Sequence, residues 1–456
     1  MGNLSRNTDI LTSMHRSRKQ VKALKVAVRN DDAEAARLLL AHSVALGHPR
    51  LSVRRYFVAR ALGADGLGPF RQLSQAAARR MLPDVVLGLA QDVARHVAQH
   101  KGPHPMASEL LSASMPFMLP YEGTEPHFAT EPRFCGAGSS VLGKVKIGAR
   151  ATLAPASVIR ADGHYVRIGD DFRLGENSTV HIAHEVYPTI IGDRVTVERN
   201  AVVHACTVGN DCVIEDGVVI LDGSVVKDRV LIEAGSTIYP RSTLRAGFVY
   251  AGNPAEQTRE LTNSERSERE ARMHRAIADS IFSTMPDASY VARDVTRDVF
   301  IARTACLTGH VNLLAKSSVF FSCLLNAVRG SIIVCDNSNI QDNTRIQCFT
   351  EGVIIGRDTT IGHNVVIHDC RIGERSLVGI GSVVSPGTII EDDVLRAAGS
   401  ATDQGQRLEG GWLWGGRPAQ PIAKLDDAKR TMMRAIIEQY CGYGATYRQL
   451  QSRLVR

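Results

Sequence analysis

One position in six is aliphatic over two long stretches of this chain, and that period leaves few folds open. From Val141 the position steps to Ile147, Leu153 and Ile159; after an interruption it continues at Ile168, Leu174 and Val180, then Ile191, Val197 and Val203. The next step is five residues, to Val208, before sixes resume through Ile214, Ile220, Val226, Ile232 and Ile238. Downstream, Ile355, Ile361 and Ile367 are followed by the same five-residue step to Ile372, and then by Val378, Val384 and Ile390. A shared irregularity is harder to obtain by chance than a shared period, so the chain reads as one fold written twice. Glycine often follows the aliphatic residue, as in Ile147-Gly148, Ile168-Gly169, Ile191-Gly192, Ile355-Gly356 and Ile372-Gly373. This is the hexapeptide signature of a parallel β-helix. Each unit forms a short strand and a turn, and three units close a triangular coil of about eighteen residues that stacks on the coil below. The aliphatic side chain points inward, and residues that tolerate φ > 0 make the corners.

The doubling extends beyond the repeat. His204 and His368, Arg199 and His363, and Pro254 and Pro418 are each separated by 164 positions. The exits also match: Tyr250-Ala251-Gly252-Asn253-Pro254-Ala255 parallels Trp414-Gly415-Gly416-Arg417-Pro418-Ala419. A helix is expected after each, the first capped by Asn263 and the second beginning near Asp426. We therefore expect three regions: a helical, basic segment over residues 1–130, a first β-helix with its helix over 131–285, and a second over 286–456.

Composition bounds the rest. A length of 456 residues allows about three domains. The balance of 54 basic to 47 acidic residues is too mild to argue for nucleic acid, and no arginine-rich face is interleaved with aromatics. No run of eighteen apolar residues is present, so the chain is expected to be soluble or peripheral to a membrane. Nine cysteines without a Cys-x-x-Cys pair argue against a disulfide scaffold and against a cysteine zinc site. Within the first thirty residues Arg6, Arg16, Arg18, Lys19, Lys22, Lys25 and Arg29 face only Asp9. That composition fits a transit peptide or a basic solvated arm. Apolar spacing over Ala33–Leu46 and Met81–Ala98 predicts amphipathic helices, and residues 101–133 read as an extended connector.

The candidate chemistry lies in the histidines. The run Asn339-Ile340-Gln341-Asp342-Asn343, then Ile361-Gly362-His363, Ile367-His368-Asp369-Cys370 and Trp414-Gly415-Gly416-Arg417-Pro418-Ala419, resembles the γ-class carbonic anhydrase family, above all its members attached to mitochondrial respiratory complex I. In the first copy the matching pieces are Val158-Ile159-Arg160-Ala161-Asp162, Thr179-Val180-His181 and Val203-His204-Ala205-Cys206. The resemblance implies a left-handed β-helix that assembles by threes. It also implies a zinc ion held between neighbours by two histidines of one prism and one of the next, acting on carbon dioxide. The likeness covers roughly residues 135–283 and 300–440.

Carried over residue by residue, neither copy is complete. The first keeps His181 and His204, but Arg199 stands where a histidine should reach across the interface. The second keeps that reaching residue as His363, and His368 of the pair, but Gln347 takes the other position. The supporting positions divide likewise: Arg160 and Asp162 survive in the first copy, which has Gly175 and Glu176 where Gln and Asp belong. Gln341 and Asp342 survive in the second, which has Asn326 and Val328 for the Arg and Asp. The expectation is at most one zinc site, built from His181, His204 and His363, with Arg160, Asp162, Gln341 and Asp342 as its catalytic-type residues. The bland reading of each histidine is an interface polar contact, and His164, His184, Cys206 and Cys370 are read as local contacts or core fillers.

The losses favour a structural subunit over an enzyme. The leading expectation is a degenerate γ-carbonic-anhydrase-like subunit on the matrix side of the mitochondrial inner membrane. There it would join a separate γ-type subunit in a heterotrimer on the complex I membrane arm. A zinc carbonic anhydrase is the alternative. A hexapeptide acyltransferase comes third, because no long loop carries both a catalytic histidine and a coenzyme cleft.

Overall fold

A computed structural model describes residues 16–101, 115–282, 291–296 and 298–454. The doubled repeat forms two parallel β-helical prisms. In the first, a twelve-stranded sheet wraps two faces through the long strand Val158–Ile168, and an eight-stranded sheet makes the third. The six-residue rule is visible as stacked inward columns. Leu153, Leu174, Val197, Ile214 and Ile232 lie one above another in parallel register, and Val180, Val203, Ile220 and Ile238 form a second column. All are buried. A dry interior of this kind is worth roughly 1.5–3 kcal/mol per buried aliphatic side chain. The second prism repeats the plan with ten- and eight-stranded sheets and the column Val319, Ile340, Ile361 and Val378.

The corners follow the predicted chemistry, with one addition. Residues at positive φ run up one edge as Arg150, Asp171, Arg194 and Asp211, and opposite charges pair between coils, Arg150 with Asp171 and Arg194 with Asp211. Each exposed pair adds little alone. Both prisms end in an antiparallel hairpin, Phe248–Gly252 with Ala255–Glu260 and Trp412–Gly415 with Gln420–Lys424. The turn back on itself covers the edge that the last coil would otherwise leave unpaired.

Seven helices are described: α1 (Arg18–Arg29), α2 (Ala33–Ala45), α3 (Pro49–Ala61), α4 (Gly68–Ala78), α5 (Pro83–Lys101), α6 (Asn263–Ser280) and α7 (Asp427–Arg453). Only α2 and α5 were expected in the first hundred residues. α1 starts at a capping box between Ser17 and Gln20. Prolines sit in the first turns of α3 and α4. The cap of α6 is Thr262, whose hydroxyl accepts from Glu265 N, and Asn263 is already helical, which corrects the expected cap. Asp426 caps α7 as expected. The connector is not wholly irregular either, since Phe117–Leu119 and His127–Phe128 add strands to the first coils. Residues 1–15, which hold Arg6 and Asp9 of the basic leader, lie outside the described residues. α2 to α5 share one apolar core with Met273 and Ile277 of α6, Ile281 and Phe282 just beyond it, and Phe134 and Ala154 of the first prism, which seats the helical region on that prism.

The prisms meet along a seam of two kinds. An aromatic cluster joins Leu119, Tyr121, Leu142 and Val158 of the first half to Phe300, Phe320, Phe321, Tyr440, Tyr443 and Tyr447 of the second. Beside it runs a polar zip: Asn343 Nδ2 donates to Thr179 Oγ1 at 2.9 Å, and Asn364 Nδ2 to the Asn177 carbonyl at 2.6 Å. Gly381 lets the backbones approach, because a Cβ there would lie 2.4 Å from Val219 Cγ2.

Candidate metal centre between the two prisms

His181 and His204 stand side by side on adjacent coils, paired in parallel register. His363 reaches them across the seam from the second prism. His181 Nδ1 lies 3.2 Å from His204 Nε2 and 3.2 Å from His363 Nε2, and the three ligand-capable nitrogens lie within 4.8 Å of one another.

The opposite nitrogen of each ring faces a carboxylate. His181 Nε2 is 3.0 Å from Asp162 Oδ1, and His204 Nδ1 is 2.6 Å from Asp222 Oδ1. His363 Nδ1 approaches Asp342 Oδ2 at 3.3 Å, an ionic-range contact rather than an aligned hydrogen bond. An ionised carboxylate only accepts, so it draws the ring proton to the nitrogen it faces. The inward nitrogens are then lone pairs. Burial lowers the His181 pKa well below its ordinary range, helped by the Arg160 charge. Burial also lowers His363 to about 4, against the opposing pull of Asp342. Near neutral pH both of these imidazoles are uncharged, so their inward nitrogens offer lone pairs to the cluster. Such an arrangement calls for a cation. Nitrogens bound to zinc tetrahedrally at 2.0–2.1 Å are about 3.3 Å apart, close to the 3.2 Å of the two pairs that include His181, and with all three within 4.8 Å the donor set suits such an ion.

Arg160 locks this frame. It is fully buried, with Nη1 on Asp162 and Nε donating to Asp342 Oδ2 at 2.8 Å. Burial opposes its charge, but the two carboxylates outweigh that cost and hold its pKa above the usual value. Asp342 is held at about 2, because the Arg160 charge and the His363 contact overcome its own desolvation. One guanidinium thus clamps the carboxylate behind His181 to the carboxylate behind His363, and so one prism to the other. Each buried carboxylate meets the guanidinium, which leaves the triplet one negative charge in excess that a bound cation would offset.

Of the expected residues, Arg160, Asp162, Asp342 and the three histidines come together. Gln341 instead donates to Asn339 Oδ1 at 3.3 Å within its own prism, and among the described residues no hydrogen bond joins it to the three imidazoles. Arg199 pairs with Asp216 at 2.5 Å and is half exposed. His368 stacks on Phe349, 5.2 Å between centroids, beside Gln347. His184 accepts a place in the frame through Tyr443, whose hydroxyl is 2.6 Å from its Nδ1. Sequence reasoning missed Asp222 and the tyrosines of α7. Asp222 was within reach, since it stands one position past a full coil beyond His204, the five-residue step shortening that coil to seventeen residues. Tyr440, whose hydroxyl lies 3.3 Å from His363 Nε2, carried no such signal.

Repeat and triad together define a hexapeptide β-helix protein with a metal-ready histidine cluster at a prism interface. A profile of the hexapeptide repeat of succinyl-transferase matches residues 165–205, 188–222 and 370–402. The mitochondrial gamma carbonic anhydrase 2 of Arabidopsis thaliana is 33% identical over 174 residues, 37% of this chain and 60% of that one. Protein YrdA of Escherichia coli K12 is 36% identical over 135 residues, 28% of this chain and 73% of its own. A hexapeptide transferase family protein from Anaplasma phagocytophilum is 24% identical, with 36% of this chain and 96% of that one covered at a TM-score of 0.31. The chain is a tandem hexapeptide β-helix protein similar to the γ-carbonic anhydrases. It spans about half to three fifths of the length of the first curated relatives it matches.

Proposed function

We propose that this chain is a mitochondrial γ-carbonic-anhydrase-like subunit that supplies two of the three prisms of a heterotrimer on the matrix side of the complex I membrane arm. In this reading its one metal centre serves chiefly to clasp the two prisms. The observation that carries the proposal is that the two prisms pool one intact His181–His204–His363 cluster, while the equivalent positions facing outward hold Arg199 and Gln347. The mitochondrial location draws on the relatives named mitochondrial.

In this proposal His181, His204 and His363 hold zinc. Bound there, zinc supplies Lewis acidity of the kind carbon dioxide hydration uses. The chain's own part is orientation: Asp162, Asp222 and Asp342 fix the ring tautomers, Arg160 fixes the carboxylates, and Tyr440 excludes water from one side. A carbonic anhydrase remains the second reading, favoured by one edge of the cluster, where the His204 side chain keeps 11% exposure and Asp222 42%.

Purified protein is expected to carry one zinc per chain and to lose it on His204→Ala or on His363→Ala; zinc unaffected by either change sinks the shared site. Carbon dioxide hydration by the assembled complex should equal that of the His204→Ala control, and a faster wild type would transfer the case to the enzyme reading. Mass-resolved pull-down of the intact assembly should recover complex I subunits and a single-prism partner. A homogeneous trimer of this chain alone would contradict the architecture.

A further inference from the structure

Zinc sites divide by their fourth position: structural sites fill it with a protein ligand, and catalytic sites leave it open. Here a protein oxygen already stands beside the histidines. Tyr440 projects from α7 into the seam, is almost wholly buried, and places its hydroxyl 3.3 Å from His363 Nε2. That separation matches the spacing expected between two donors on one tetrahedral ion. The hydroxyl is held there from behind, because Arg160 Nη2 donates to it at 3.2 Å. With one lone pair taken by a guanidinium, the phenol faces His363 Nε2, and it would bind a metal there by losing its proton to solvent, the adjacent Arg160 charge opposing the cost of burying the phenolate.

The other half of the chain supplies an internal control. The helix caps Thr262 and Asp426 keep the 164-residue offset, so the counterpart of Tyr440 is Ala276. Ala276 lines a small pocket of about 10 Å³ with Gly175, Glu176 and Arg199. Arg199 is the counterpart of His363. Where the reaching residue is a histidine, the helix delivers a tyrosine; where it is an arginine, the helix delivers an alanine. The two differences occur at one place.

We infer that the Tyr440 hydroxyl is the fourth protein ligand of the metal centre, making it a closed His-His-His-Tyr site without a free coordination position. The inference rests on the reading that the triad holds a divalent metal. It assigns α7 a specific task, since a helix that merely covered the seam would not need a hydroxyl at that point.

The test uses full-length protein loaded with cobalt(II), whose visible spectrum reports coordination, and azide as a small anion that needs an open position. Azide should leave the wild-type spectrum unchanged and should shift that of Tyr440→Phe. Tyr443→Phe, which removes a hydroxyl from the same helix without one near His363, should still exclude azide. Zinc affinity of Tyr440→Phe should fall by at least about tenfold, the lower end of what losing even an outer partner costs. An azide-induced shift in the wild type overturns the closed site, and that measurement needs no variant to fold. Entry of azide in Tyr443→Phe as well would reduce Tyr440 to a packing role. Failure of wild type to bind cobalt any better than His363→Ala would instead remove the metal reading itself.

Discussion

Arg396 breaks the rule that every other member of its column obeys. It stands between Val378 and Trp414 in the inward column of the second prism, where its counterpart 164 residues earlier is Ile232. Only Nη2 has a partner, the Val383 carbonyl at 3.1 Å; Nε and Nη1 have none among the described residues. Desolvation lowers its pKa to about 10, so it is still charged near neutral pH. A buried charge without a counter-ion costs more than an aliphatic side chain of similar size. Arg396→Ile should therefore stabilise the protein by about 1–4 kcal/mol, read as a higher urea midpoint with an unchanged slope. Loss of stability would mean that the guanidinium has an essential partner. Residues of this kind also show what the sequence yields and what it hides. Ile232 and Ile361 declare their burial through the period, and the family resemblance picks out His181, His204 and His363. Tyr440 lies 77 residues beyond His363 on a helix whose aromatic stripe reads as ordinary core. Nothing local to it names the imidazole it meets.

At the scale of elements, the repeat is legible because each strand is dictated by its own six residues. The helices of the first third are less so. α1 has no fully buried residue, and the half-buried Val21, Leu24 and Val28 are interleaved with five basic side chains, so its apolar stripe is thin. Tertiary packing, not periodicity, holds such an element. α6 couples this region to the first prism, and His274 marks the join. Burial, with Arg173 as the next contribution, lowers its pKa to about 4. A histidine kept neutral in the fold but free to protonate when unfolded takes up more protons in the unfolded state between those two pKa values. Its contribution to stability is therefore complete above about 6.5 and is lost as pH falls toward about 4. Thermal unfolding of wild type and His274→Gln should diverge in pH dependence across that window. Parallel curves would show that the imidazole is not linked to folding.

At the scale of the whole molecule, the seam is heterologous: the His181–His204 face of one prism meets the His363 edge of the other. Such an interface never consumes both of its surfaces, and a rotation that closes makes a ring. The second prism accordingly keeps an open face where Gln347 and His368 stand, with Val328 68% and Phe349 50% exposed. If a third prism seats there, Phe349→Glu should abolish recovery of that partner while leaving zinc content at one per chain. Retention of the partner would place the contact elsewhere. This part of the architecture could be foreseen only in outline, because the repeat specifies the prism and leaves open which of its faces another prism covers.

The covalent join has a last consequence, for inheritance and dilution. A cluster pooled from separate subunits depends on their supply and dissociates as they become scarce. Here both contributors are always present in equal number, and the tether keeps them at a high effective concentration whatever the bulk level. Metal capture should then be indifferent to protein dilution. Each half is also free to drift at the positions its sibling retains, so a single locus can carry two individually broken copies of a site and still pass on a whole one.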